Sequence, residues 1–277
     1  MSLSLGDQVH IDLRPDQVSM VRLRKGLLRP KVIARQTEFC NTPEVGEAPW
    51  QPALRALQAG MPALGGGRMD ATVVLSNHFV RYALIPRGDQ LSNDREEQAY
   101  ARHYFSVIYG NDAEDWALRL STNGHGKMQV ASAIDQGLLD GLERVAGVCS
   151  LRLSSVQPYL MTVFNHWRRR LSGPTVWFVL AEQGRLCISL LKRGRWCSLH
   201  TMKSDDAWLA RLPHMLEREL HLSDNGTERG TVFLFAPGIA EEALLPVSDW
   251  AVNWLKVASA QGTLPDSDLT GAMLMSG

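Results

Sequence analysis

TVWFVLAEQGRLCISLLKRGRWCSLHTMK, residues Thr175 to Lys203, decides the fold. Three runs rich in Val, Leu, Ile, Phe and Trp are separated by Glu182-Gln183-Gly184 and by Arg193-Gly194. Short β-rich runs joined by glycine turns predict a meander of antiparallel strands. Helical spacing follows from Asp205 to Leu222, and then an apolar run, Thr231–Phe235. The order is β-β-β-α-β.

The same order opens the chain. Gln8 to Leu13 reads as a strand, Arg14-Pro15-Asp16 as a turn, and Val18 to Leu23 as a second strand with Val18 and Met20 facing inward. Gly26 closes that hairpin, and Lys31 to Gln36 supplies a third strand. Residues 41–49 are polar loop, Trp50 to Ala59 is a helix stopped by Gly60, Gly65-Gly66-Gly67 is a connector, and Ala71 to Leu75 is a short apolar strand. Laying Gly26 over Gly194 shifts the chain by 194 − 26 = 168 residues. Val18 then falls on Leu186, Met20 on Ile188 and Leu23 on Leu191. A repeat of this kind predicts an α/β protein of two halves with their own sheets, residues 1–172 and 173–277.

A block at about 78–150 interrupts the first half. Phe79 to Ile85 is a strand ended by Pro86, and Ser92 with Glu96 opens a helix that runs to Gly110. Asp115 to Leu120 and Met128 to Ile134 alternate as strands about the turn Asn123-Gly124-His125-Gly126. Gln136 to Val148 is a helix, Ser150 to Val156 a strand, and Pro158 starts a helix through Leu171. The block reads as a small inserted α+β subdomain.

Composition narrows the function. Twenty-nine basic and 29 acidic side chains give zero formal charge, which argues against nucleic acid or an anionic membrane as the main partner. Arg168-Arg169-Arg170 is the one basic cluster and reads as a solvated helix end. Cys40, Cys149, Cys187 and Cys197 form no C-x-x-C pair, and no histidine cluster stands beside them at zinc-like spacing. The chain lacks a P-loop, a G-x-S-x-G elbow and an H-E-x-x-H helix. Glu96-Glu97 is explained by a helix N-terminus, and His78 and His103 by packing or solvent. Most of the tryptophans from Trp167 to Trp254 are expected in a core, with one or two on a partner surface. No signal peptide opens the sequence and no window has the ~18 apolar residues of a membrane span, so a cytoplasmic protein is expected.

Several stretches then carry a resemblance: Val9-His10-Ile11-Asp12, Val73-Val74-Leu75-Ser76, Arg81-Tyr82-Ala83-Leu84-Ile85-Pro86, Glu97…Ala101…Phe105…Tyr109-Gly110, and Ser155-Val156-Gln157-Pro158. With the duplicated halves, these resemble the actin-like (ribonuclease H-like) fold shared with Hsp70 and sugar kinases. Within it they resemble the PilM-type pilus-assembly proteins and the related GspL and MshI cytoplasmic domains, from about Gln8 to about Leu255.

The resemblance implies a nucleotide cleft built from glycine turns. The first should read Asp-x-Gly but reads Asp12-Leu13-Arg14-Pro15; the second is Ala181-Glu182-Gln183-Gly184, with its aspartate position apolar; the adenosine-side turn is Ala236-Pro237-Gly238-Ile239-Ala240. Asp12, Gln183, Gly184 and Gly238 are therefore the implied vestigial nucleotide-binding residues, with no catalytic and no metal-ligating residue among them. The expected protein is a pseudo-ATPase without a required cofactor, Mg-ATP binding being at most weak. As a non-catalytic scaffold of a type IV pilus or related secretion assembly, it would bind the cytoplasmic N-terminal tail of a PilN-like single-span inner-membrane protein. It would sit peripherally at the inner membrane through that partner, with no membrane insertion of its own and no nucleic acid. The tail groove is expected near Ala71–Pro86. The alternative is an active actin-like ATPase or a sugar-kinase-like phosphotransferase.

Overall fold

The computed structural model describes residues 7–24, 26, 30–86, 94–121, 128–223, 229–237, 239 and 250–257. The expected helix start at Ser92, the turn from Asn123 to Gly126, the adenosine-side Gly238 and the tail from Gln261 lie outside the described residues. In chain order the elements begin with β1 (Gln8–Leu13), β2 (Gln17–Arg24), β3 (Lys31–Phe39), α1 (Gln51–Gly60) and β4 (Met69–Leu75). Next come β5 (Val80–Pro86), α2 (Asp94–Tyr109), β6 (Trp116–Leu120), β7 (Met128–Asp135), α3 (Gln136–Val148), β8 (Leu151–Pro158) and α4 (Tyr159–Trp167). The last are β9 (Thr175–Glu182), β10 (Arg185–Lys192), β11 (Arg195–Lys203), α5 (Trp208–Leu222), β12 (Thr231–Phe235) and β13 (Ala251–Trp254).

Two five-stranded sheets have the same plan, β3-β2-β1-β4-β8 and β11-β10-β9-β12-β13. In each, the first three strands are antiparallel and the last two join in parallel. The 168-residue offset holds in the register. Leu13 pairs with Val18 as Ala181 pairs with Leu186. A bulge interrupts β2–β3 between Arg22 and Leu23, and another interrupts β10–β11 between Leu190 and Leu191. Bulges bend a strand at a defined place, so a shared bulge position is a stronger mark of duplication than shared hydrophobicity. A third sheet, β5-β7-β6, carries the inserted strands.

The described residues fall into two compact units, those within 7–80 and 134–166 together with residue 257, and those within 81–133 and 167–256. In the first, α1 packs on β2 and β3, and its Ala53, Leu54 and Leu57 are buried. Helix α3 lies beside α1 because Gly141 has no side chain; a β-carbon there would collide with Leu54 Cδ1. Asp135 caps α3 through the Gly137 N–H (2.7 Å) and accepts the Trp50 indole N–H (3.0 Å), tying the two helix starts together. The segment Ser150–Val156, expected inside the inserted block, is the fifth strand of the first sheet and pairs in parallel with β4. Pro158 ends that strand instead of starting a helix, and α4 stops at Trp167, short of Leu171. Proline can close an edge strand because no neighbour needs its missing N–H.

Asp7 fastens β2 in this unit, with Arg22 Nη2 2.7 Å and Arg24 Nε 3.3 Å from its carboxylate. Burial, which raises a carboxyl pKa, is outweighed by these bonds, so Asp7 titrates below its ordinary value. A depressed folded pKa gives stability that is present above the unfolded value of about 4 and lost as pH falls through the folded one. The loss of denaturant midpoint between neutral and acid pH is therefore expected to be smaller in Asp7→Asn than in the wild type. Equal losses would remove Asp7 from the acid response.

In the second unit Trp177, fully buried, centres a core with Trp208, Leu212, Leu216, Leu234 and Trp250. Its indole N–H donates to the Arg229 carbonyl (2.7 Å) and its ring meets Trp250 edge-on at 6.0 Å. Trp167, Trp196 and Trp208 are buried as well, while Trp254 is half-buried. The third sheet is covered by α2 through Ala101 and Phe105, packed on Ala83, Ile85, Ala131 and Ala133.

Candidate functional site

The implied site residues fall on turns that the two sheets place at strand ends. Asp12 lies one residue before the end of β1, between Ser19 of β2 and Val74 of β4. Alternation turns Val9, Ile11 and Leu13 into one side of the sheet and puts Asp12 on the other, where it is only 5% exposed. A buried carboxylate needs a cation or hydrogen-bond donors, and Arg14 supplies both. Arg14 Nε donates to Asp12 Oδ2 at 3.0 Å, and Nη2 lies 2.9 Å from the same oxygen. The guanidinium is in turn stacked on the buried ring of Tyr159, 5.5 Å from its centroid. Sequence reading missed this three-residue arrangement. The departure from Asp-x-Gly at Arg14 was visible, but not that the arginine folds back on Asp12.

The rest of the first turn is also committed. The Arg14 N–H bonds the Gln17 carbonyl (3.1 Å), Pro15 has no N–H, and the Asp16 carbonyl accepts from the Cys40 N–H (2.8 Å). Just beyond β4, the Asn77 side-chain oxygen accepts the Leu160 N–H (3.2 Å) and fixes the start of α4. A metal ion approaching Asp12 Oδ2 has first to displace Arg14.

Gln183 and Gly184 belong to the other unit, where they form the two-residue connection between β9 and β10. Gly184 has φ +72°, which explains glycine at this place without any ligand. Its carbonyl accepts the Ser204 N–H (3.2 Å). The counterpart of Asp12 at the 168-residue offset is Leu180, fully buried, so this hairpin holds no carboxylate at that position. Arg185, the next residue, has its pKa lowered by burial and then by the charge of Arg81. Gly238 is outside the described residues, so this turn is represented by Ala236, whose carbonyl accepts the Ile239 N–H (3.3 Å).

Cysteine chemistry is quiet. Burial pushes the Cys187 thiol up to about 12, and burial together with Asp16 pushes Cys40 up to about 11. Neither forms appreciable thiolate at neutral pH. Among the described residues no group of His, Cys, Asp and Glu is arranged to hold a metal, and no helix is long and apolar enough to cross a membrane. The expected tail groove at Ala71–Pro86 is divided. Residues 71–75 lie in β4, which has neighbours on both edges, whereas residues 80–86 form β5 at the edge of the third sheet.

No protein-family model matches the sequence, and no curated protein does. Solved structures do. A Bacteroides thetaiotaomicron protein with an actin-like ATPase fold and unknown function matches with TM-score 0.63 at 10% identity, over 99% of this chain and 97% of its own. A PilM–PilN type IV pilus biogenesis complex matches with TM-score 0.61 at 10% identity, over 91% and 89%. The cytoplasmic domain of EpsL, an inner-membrane component of the Vibrio cholerae type II secretion system, matches with TM-score 0.57 at 12% identity, over 98% and 96%. The chain has the actin-like ATPase fold.

Proposed function

We propose that this chain is a non-catalytic, actin-like scaffold of a type IV pilus or related secretion assembly. It works in the cytoplasm and is held at the inner membrane by the N-terminal tail of a single-span partner. The observation that carries the non-catalytic part is the Arg14 guanidinium on Asp12. Phosphoryl transfer in this fold needs backbone donors around the phosphates and a carboxylate free to orient Mg²⁺ and water. Here an internal cation already neutralises the carboxylate, Pro15 removes a donor, and Leu180 stands at the matching place in the second half. The residues present do not fit a Mg-nucleotide, and the assembly role is supported by likeness to the PilM–PilN and EpsL structures.

An extended tail gains main-chain hydrogen bonds by adding to a sheet edge, and among the described residues β5 is an edge strand of the third sheet. Calorimetric titration with Mg-ATP is expected to give no micromolar binding, and a phosphate-release assay no turnover. A peptide copying the cytoplasmic tail of a neighbouring-gene, single-span protein is expected to bind instead. Micromolar Mg-ATP binding with turnover would replace the scaffold by a phosphotransferase.

A further inference from the structure

The stretch from residue 168 to 203 holds eight Lys and Arg and one acid, Glu182, in a chain whose totals are 29 and 29. The fold gathers five of these cations at one end of the second sheet. Arg168-Arg169-Arg170 follow α4, and the chain then passes through Gly173 and Pro174 into β9. The Arg193 N–H donates to the carbonyls of both Gly173 and Pro174, each at 3.1 Å. The turn Arg193-Gly194 (φ +50° and +73°) is thereby seated against the loop that carries the arginine triplet. Arg195 opens β11 directly after it.

All five arginines are exposed. Arg170 is held in place by stacking on Trp167, 5.2 Å from the ring centroid. Among the described residues of this unit, the ion pairs run through Arg211, Arg218 and Arg229 and do not involve Arg169, Arg170, Arg193 or Arg195. Glu182 lies at the opposite end of β9, roughly 23 Å away for eight strand residues. The net charge of zero hides this segregation, and the solvated-helix-end reading of Arg168–Arg170 took no account of the hairpin brought beside them.

We propose that this end of the second sheet is an electrostatic contact for anionic phospholipid headgroups. The cations sit after a helix end, in a turn and at a strand start, and the nearby apolar residues of the strands, Val176 and Trp196, are buried. An exposed, polar, cationic surface suits a polyanionic headgroup layer better than an extended peptide, which needs an apolar groove or a strand edge. The inference goes beyond the scaffold reading and does not depend on it, because pure lipid tests it.

The test is flotation of the full chain with phosphatidylcholine vesicles, with and without phosphatidylglycerol. Binding is expected only with phosphatidylglycerol and is expected to weaken as salt rises. Each cation near such a surface is worth about fivefold in affinity, so Arg169→Ala/Arg170→Ala/Arg193→Asn should lose about a hundredfold. Asparagine is chosen at 193 because it tolerates positive φ. Arg119→Ala/Arg144→Ala, exposed cations outside the patch, should bind as the wild type. No flotation with phosphatidylglycerol, an equal loss in the control pair, or tight binding to soluble polyglutamate without binding to vesicles would overturn the proposal.

Discussion

Gly230→Ala is expected to lower the free energy of unfolding by about 3 kcal/mol, from two independent sources. Gly230 has φ +71°, where a β-carbon costs about 1 kcal/mol. The added carbon would also lie 2.6 Å from the Thr175 carbonyl oxygen and 2.7 Å from Thr175 Cγ2. That carbonyl is backbone at the start of β9, which is paired with β10 on one side and β12 on the other, so it cannot swing away. Relief must come from shifting the entry to β12. That strains the Trp177 indole bond to Arg229 O and the stacking of Arg229 over Trp250. Gly194→Ala supplies the control, with φ +73° and nothing within 4 Å of the new carbon. It should lose only about 1 kcal/mol. Equal denaturant midpoints for the two variants would show that the clash with Thr175 is relieved without cost.

Arg14→Ala is expected to destabilise by about 2–3 kcal/mol, because it leaves the Asp12 carboxylate buried without its guanidinium. Losing one member of a fully buried pair is worth about 3–5 kcal/mol; the smaller figure applies because Arg14 keeps 11% of its side-chain surface exposed. Part of the loss is the stacking on Tyr159. Asp12→Asn/Arg14→Ala should recover about 1 kcal/mol, since an amide left without that cation is far less unfavourable than a carboxylate. A double variant no more stable than Arg14→Ala would mean that the charge of Asp12 is balanced by other groups. The cycle therefore tests whether Arg14 acts as the internal counter-ion.

Much of the fold was legible because each half repeats a pattern fixed by strand geometry. Gly26 over Gly194 located the duplication, and Val18, Met20 and Leu23 are buried just as Leu186, Ile188 and Leu191 are. What could not be read was pairing between distant segments. β8 follows the inserted strands in sequence, and its alternating half-exposed pattern looks like an ordinary subdomain strand; only its parallel partner β4 shows where it belongs. β13 has four residues and no long apolar run, so periodicity passed over it. At the candidate site, the damaged turn was visible as Arg14-Pro15, but the role of Arg14 required Tyr159 to arrive from far along the chain. Gly230 had no local signal at all, since its need for hydrogen in place of a methyl comes from Thr175.

The first sheet takes four strands from before the inserted block and its last from after it. During synthesis, β4 therefore emerges with one hydrogen-bonding edge unpaired until β8 leaves the ribosome. The nascent chain must carry that sticky border through the whole manufacture of the insert, and helper proteins that mask exposed strands have their moment of greatest use there.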